Sequence, residues 1–126
     1  MPDLQPKGHL KSHIVAERDE AERAVAAEIA DRVRTRNAQG RDFVLGLAAG
    51  RSPLGVYREL VRLVVEQGLD LSRVTTYNLD EYEGLSPEDP NSFRSSLERD
   101  FFIPARIDPA RIHFPSGLWG DQVAQA

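Results

Sequence analysis

The spacing of hydrophobic and polar residues predicts that two helices alternate with two strands in the first two thirds of the chain. Within 19–38, small apolar residues recur at helical spacing after an acidic start. The run 42–48, DFVLGLA, is short and almost continuously apolar, which is typical of a strand buried on both faces of a parallel sheet. The helical pattern resumes over 53–68, between a proline and a glycine. The run 73–79, RVTTYNL, is rich in β-branched and aromatic residues, which predicts a second strand. Two strands joined through a helix predict a right-handed βαβ unit with parallel strands.

The last third of the chain predicts one more helix and one short strand. The helix is capped near Asn91 or Ser92 and ended by Pro104, and the strand lies within 111–114. The tail 119–126 predicts no regular element. A sheet of two or three strands has an open edge, for which we expect cover from a partner chain, from the N-terminal segment or from further sequence.

Composition narrows the class of protein without identifying a function. The chain has 126 residues, a formal net charge of -4 and no cysteine. This favours a single domain, excludes thiolate chemistry and argues against nucleic-acid binding. The N-terminus lacks a signal-peptide pattern and no apolar run reaches membrane-spanning length, so we expect a cytoplasmic protein without a membrane partner. The three histidines lack metal-ligand spacing, and we predict neither metal nor cofactor.

The turn Gly50-Arg51-Ser52 is the first candidate for chemistry. It lies between an apolar strand and the predicted N-terminus of a helix, where free backbone N–H groups and the helix dipole attract anions. Arg51 and Ser52 could add a charge-assisted and a hydroxyl hydrogen bond to a phosphate. The alternative is an ordinary strand-to-helix turn in which Ser52 caps the helix.

Asp80 and Glu81 are the candidate catalytic residues, since they follow the second predicted strand. A carboxylate at the carboxyl end of a buried strand is a credible general base, because partial burial raises its pKa towards working pH. Successive residues point in opposite directions, which predicts that one carboxylate is functional and the other structural. The alternative for either residue is a solvated loop acid.

Three segments carry a family resemblance: 45–60, LGLAAGRSPLGVYREL; 78–85, NLDEYEGL; and 90–93, PNSF. They resemble the N-terminal half of the glucosamine-6-phosphate deaminases, also called isomerases, and the similarity covers about 10–117. The resemblance implies a Rossmann-like three-layer α/β/α fold with a parallel βαβ core. On this basis 1–126 forms a single, partial domain, an incomplete N-terminal half.

The resemblance also implies a reaction, the conversion of glucosamine 6-phosphate to fructose 6-phosphate with release of ammonia. It implies that Asp80 moves a proton between C2 and C1 of the open-chain sugar and that Gly50, Arg51 and Ser52 hold the phosphate. The family usually has Thr in place of Ala49 and Gly or Ser in place of Arg51. The bulky cation of Arg51 either reinforces phosphate binding or obstructs it.

Other features of the family are not found in the 126 residues. Family members continue through an Asp-Gly-His segment, an Asn-Glu-Pro segment and a phosphate-binding lysine, so turnover by this chain alone is in doubt. Two alternatives stay open. One is a 6-phosphogluconolactonase-like hydrolase, although that family usually reads Asp-Glu-Arg where this chain has Asp80-Glu81-Tyr82. The other is a non-catalytic or vestigial phosphosugar-binding domain that self-associates through its open sheet edge.

Overall fold

A computed structural model describes residues 12–118 and 120, and its order of helices and strands agrees with the predicted one. The regular elements, in chain order, are α1 (Arg18–Ala38), β1 (Phe43–Leu47), α2 (Leu54–Gln67), β2 (Val74–Asn78), α3 (Phe93–Leu97) and β3 (Ile112–His113). A π-helical turn, Glu98–Phe102, extends α3, and a 3-10 turn, Pro109–Arg111, precedes β3. Apart from Gly120, the prediction for 119–126 lies outside the described residues.

The three strands form one parallel sheet in the order β1-β2-β3. The pairing of β1 with β2 runs from Phe43 opposite Val74 to Leu47 opposite Asn78, so the two strands end level with one another. The predicted α/β class and parallel βαβ core are therefore confirmed. In the described part of the chain β1 has no neighbour on its outer side, which leaves the edge open as expected.

The crossover helix α2 begins and ends close to the predicted residues. Pro53 is its N-cap, where a missing N–H breaks no helical hydrogen bond. Gly68 ends it in the left-handed conformation, with φ 67°, and donates its N–H to the Leu63 carbonyl. Glycine adopts this conformation without the steric cost that a Cβ brings.

The hydrophobic core lies on one side of the sheet, where α1, α2 and the α3 segment pack together. Phe101 and Phe102 are almost fully buried, and the ring of Phe101 stacks on Tyr57 of α2 with centroids 4.9 Å apart. This contact joins the end of the α3 segment to the crossover helix. The α3 segment is thereby fixed to the core.

The prediction that β1 is buried on both faces is wrong for the described residues. Val44 is 64% exposed, and Tyr77 on the same face of β2 is 49% exposed. The described helices all pack on the opposite face, so burial alternates along the strands as in a sheet covered on one side. The helical layer that a three-layer fold needs on the Val44 face is not supplied by residues 12–118.

None of the described helices is long and apolar enough to span a bilayer.

We predict that Phe101→Ala lowers the free energy of unfolding by about 3–5 kcal/mol, because it removes a buried ring and leaves a cavity. Ile103→Ala is the matched control: Ile103 lies two residues away and is 71% exposed. Its truncation should change stability by less than about 0.5 kcal/mol. Urea unfolding followed by circular dichroism measures both. Equal losses in the two variants would contradict the placement of Phe101 in the core.

Candidate functional site

The candidate site is the edge of the sheet at the carboxyl ends of its parallel strands, here called the carboxyl rim. The rim comprises 48–53 after β1, 79–92 after β2 and 114–117 after β3. Since Leu47 pairs with Asn78, the first two segments leave the sheet side by side, about 4.8 Å apart at their origin. Open α/β sheets bind ligands at this edge.

The turn Gly50-Arg51-Ser52 has its backbone arranged to receive an anion. Gly50 has φ 91°, and all three residues are exposed. Their N–H groups find no acceptor among the described residues, whereas the Arg51 carbonyl accepts the Leu54 N–H at 3.2 Å. No side chain caps α2, whose N-cap is Pro53, so the alternative in which Ser52 caps the helix is wrong. The chain enters the helix one residue after Ser52, and the Ser52 hydroxyl is free of that role.

Tyr57 supports the base of this turn from below. Its hydroxyl accepts the Ala48 N–H at 3.2 Å and donates to the Ala48 carbonyl. Burial raises the pKa of the Tyr57 hydroxyl above its usual 10.0. The sequence pattern identified Tyr57 only as part of the apolar face of α2. Its polar function depends on a contact across the βα junction that helical spacing does not reveal.

Asp80 lies in the second rim segment and is exposed, so the partial burial that the sequence argument assumed for its carboxylate is not found. Its carboxylate forms no hydrogen bond or ion pair with any of the described residues, and no other role within the fold occupies it. Both carboxylate oxygens are therefore available to accept hydrogen bonds from a ligand at the rim.

Glu81 is engaged in the opposite way. Its Oε1 accepts the N–H of Tyr82 and the N–H of Phe93, each at 2.8 Å, and its Oε2 accepts the N–H of Arg94 at 3.0 Å. The two carboxylates thus differ in environment although they are neighbours in sequence. Asp80 faces solvent, and Glu81 binds the first turn of α3.

A close approach between two rim segments also shapes the loop after β2. The Gly84 N–H donates to the Gly117 carbonyl at 2.6 Å. A Cβ at Gly117 would lie 2.2 Å from the Tyr82 carbonyl oxygen, so only glycine fits there. Beside this contact is a cavity of about 110 Å³, lined by Glu81, Leu85, Pro87, Arg94, Phe114, Pro115, Ser116 and Gly117.

Three other polar or aromatic side chains near the rim fall into two groups. The amide atoms of Asn78 are buried on the helix-facing side without a hydrogen-bond partner among the described residues. Tyr77 lies on the open face of the sheet. It stacks on His113 with centroids 4.5 Å apart. The pleat of β2 directs the Tyr77 side chain away from the helices.

A large concavity in the described part of the chain lies away from the rim. Its volume is about 650 Å³, and it runs along α1 beside Phe43. The charged residues that line it include Glu28 and Arg32, which pair with each other. Within residues 12–118 and 120 no group of three His, Cys, Asp or Glu side chains could hold a metal ion.

Comparison with known proteins identifies relatives of one kind. The chain is 48% identical over 84 residues to a glucosamine-6-phosphate deaminase of Halothermothrix orenii. It is 45% identical over 105 residues to glucosamine-6-phosphate deaminase 2 of Giardia intestinalis, and 46% identical over 107 residues to a deaminase of Bacillus velezensis. These alignments cover 67%, 83% and 85% of this chain but 35%, 38% and 43% of the relatives. The chain thus spans about two fifths of their length. No family model matches.

Comparison with solved structures finds the same fold in two kinds of enzyme structure. A monomeric glucosamine-6-phosphate deaminase of the NagB superfamily superposes with a TM-score of 0.80 and 37% identity, over 88% of this chain and 44% of that one. A putative 6-phosphogluconolactonase of Neisseria gonorrhoeae superposes with a TM-score of 0.60 and 18% identity, over 82% of this chain and 41% of that one. The second likeness concerns the fold alone.

We predict that Tyr57→Phe lowers the free energy of unfolding by about 1–3 kcal/mol near neutral pH, because Ala48 loses both of its hydrogen bonds to the Tyr57 hydroxyl. The deficit should narrow as pH rises above about 10. Because the pKa of Tyr57 is raised in the folded state, the hydroxyl of the unfolded chain ionises at a lower pH than the hydroxyl of the folded chain. The wild type therefore becomes less stable as pH rises above about 10, whereas the variant has no hydroxyl at this position and is not affected in this way. Urea titrations from pH 7 to 11 measure both effects.

Tyr82→Phe is the matched control for this prediction, since the Tyr82 side chain is 52% exposed. It should leave stability unchanged across the same pH range. A deficit in Tyr57→Phe that stays constant up to pH 11 would contradict the burial of the Tyr57 hydroxyl.

Proposed function

The chain is homologous to part of the glucosamine-6-phosphate deaminases, and we propose on this basis that it forms the phosphate-binding and proton-transferring part of such an enzyme. The reaction converts glucosamine 6-phosphate to fructose 6-phosphate and ammonia. The observation that carries the proposal is the pairing of Leu47 with Asn78. It brings the turn at Gly50 and the carboxylate of Asp80 to one edge of the sheet.

The turn Gly50-Arg51-Ser52 binds the sugar phosphate in this proposal. Three N–H groups that have no acceptor among the described residues, together with the N-terminus of the 14-residue helix α2, favour an anion there. The Ser52 hydroxyl adds a donor. Of the two roles open to Arg51, we favour reinforcement, because its side chain is exposed and forms no ion pair with a described carboxylate.

Asp80 is the base that moves the proton from C2 to C1 of the open-chain sugar. Isomerisation between an aldose and a ketose needs a group that takes a proton from one carbon and returns it to the next. The Asp80 carboxylate has no partner among the described residues, whereas Glu81 accepts three backbone N–H groups. We therefore assign the proton transfer to Asp80 and a supporting role to Glu81.

The hydrolase alternative has less support. The lactonase-like structures share only 18% identity with this chain, against 37% for the deaminase. Tyr82 stands where the lactonase pattern has arginine, and its ring packs on Phe93 with centroids 4.2 Å apart. The cytoplasmic location and the self-association through the open sheet edge stay predictions.

We predict that Asp80→Asn lowers the rate of C2 proton exchange of glucosamine 6-phosphate by about 100-fold to 10,000-fold, because the amide cannot accept the proton. The exchange is followed by proton NMR in D₂O. Binding of the sugar phosphate, measured by calorimetry, should stay within about threefold of wild type because the phosphate turn is unchanged. Glu83→Gln is the matched control, since Glu83 is an exposed acid of the same loop.

Three results would each decide against part of the proposal. Full exchange by Asp80→Asn would remove Asp80 from the role of base. Binding without exchange by the wild type would favour the non-catalytic phosphosugar-binding alternative. Hydrolysis of 6-phosphogluconolactone without ammonia release from the amino sugar would favour the hydrolase.

A further inference from the structure

We propose that Glu81 is a positioning residue, which fixes the Asp80 carboxylate at the rim by tying the loop after β2 to the first turn of α3. The inference deepens the proposed function and rests on Asp80 being the base. Glu81 itself touches no reacting atom in this proposal. Its function is carried by hydrogen bonds to backbone groups twelve and thirteen residues away along the chain.

The first turn of α3 has three N–H groups that need acceptors from outside the helix. Ser92, which is fully buried, accepts the Ser95 N–H through its hydroxyl at 3.0 Å. Glu81 accepts the other two, from Phe93 and Arg94, with one carboxylate oxygen each. No other described acceptor serves these two groups, so the tie depends on Glu81.

The α3 segment is a rigid anchor for that tie. Leu97 is 3% exposed, and the Phe101 and Phe102 rings that follow are buried in the core. The partly buried N–H groups of Phe93 and Arg94 are therefore fixed relative to the sheet. A carboxylate bound to both has few positions available to it, and charge-assisted bonds of this kind are about twice as strong as neutral ones.

Asp80 is joined to this anchor through a single peptide bond. On its other side the loop leaves β2 at Asn78, which is held by the sheet. The segment between Asn78 and Glu81 is thus fixed at both ends. The contact between the Tyr82 and Phe93 rings, and the bond from Gly84 to Gly117, hold the loop beyond Glu81 as well. Small displacements of a base reduce rate more than they reduce binding, because proton transfer depends steeply on geometry.

Glu81→Ala and Glu81→Gln test the proposal, with Glu83→Ala as the control from the same loop. In Glu81→Ala we expect amide hydrogen exchange at Phe93 and Arg94 to rise by about tenfold or more. The heteronuclear NOE of the Asp80 amide should fall, which reports greater loop motion. The kcat of C2 proton exchange should fall by about 10-fold to 100-fold with KM within about threefold.

Glu81→Gln should give intermediate values, because its carbonyl oxygen can still accept the Phe93 N–H while its amide group cannot accept from Arg94. Glu83→Ala should behave as wild type in all three measurements. The intermediate variant also keeps the test informative where Glu81→Ala folds poorly, because the conservative change retains part of the tie.

Two results would overturn the proposal. Unchanged exchange at Phe93 and Arg94 in Glu81→Ala would show that the tie does not exist in solution. Loss of that protection with no change in the Asp80 NOE or in kcat would make Glu81 a helix cap without influence on the base. If the wild type exchanges no C2 proton, the proposed function fails, but the Asp80 NOE still decides whether Glu81 positions the loop. Failure of the proposed function is therefore distinguishable from failure of this inference.

Discussion

The parallel pairing of β1 with β2 is the constraint on which the rest of the molecule depends. Because Leu47 and Asn78 are partners at the last rung, the chain leaves both strands at the same level. A slip of one residue would direct Phe43, Leu45 and Leu47 to the open face, so the hydrophobic contacts on one side fix the pairing. The polar groups of the rim are then placed by the same contacts that bury the core.

The α2 crossover also holds the turn at Gly50 in place. Tyr57 stacks on Phe101 on one side, and its hydroxyl holds both polar groups of Ala48 on the other. The buried aromatic cluster and the exposed turn are therefore joined through one side chain. At the second loop Glu81 makes an equivalent connection, from the rim to the buried α3 segment. Both connections use backbone groups that neighbouring secondary structure leaves unpaired.

The sequence predicted the elements that depend on local pattern. Helical spacing between Pro53 and Gly68 located α2, and β-branched residues located β2. The exposure of Val44 was not predictable in this way, because an apolar strand has the same composition whether one or both of its faces are covered. Composition reports what a strand can bury, and its neighbours decide what it does bury.

In the candidate site, too, the features that depend on local pattern were predictable and those that depend on distant contacts were not. Asp80 and the Gly50 turn were located by their positions after predicted strands, a rule that needs only the order of elements. The division between two adjacent carboxylates was also expected, but the partners of Glu81 lie twelve and thirteen residues away and depend on how α3 folds back. The glycine requirement at Gly117 has the same origin, since it comes from contact with the Tyr82 carbonyl across the rim.

The rim geometry has a consequence for how such a site can be assembled. Each parallel strand of a sheet contributes one loop to the same edge, so groups that act on one ligand need not be close in sequence. In the described residues β1 leads into the turn at Gly50, β2 leads into the exposed carboxylate of Asp80, and β3 leads into the segment that contacts the loop of Asp80. The outer side of β1, which is open in the described residues, is adjacent to the turn at Gly50. Both outer strands, β1 and β3, have an open side among the described residues, and a further parallel strand on either side would add its own loop to the rim.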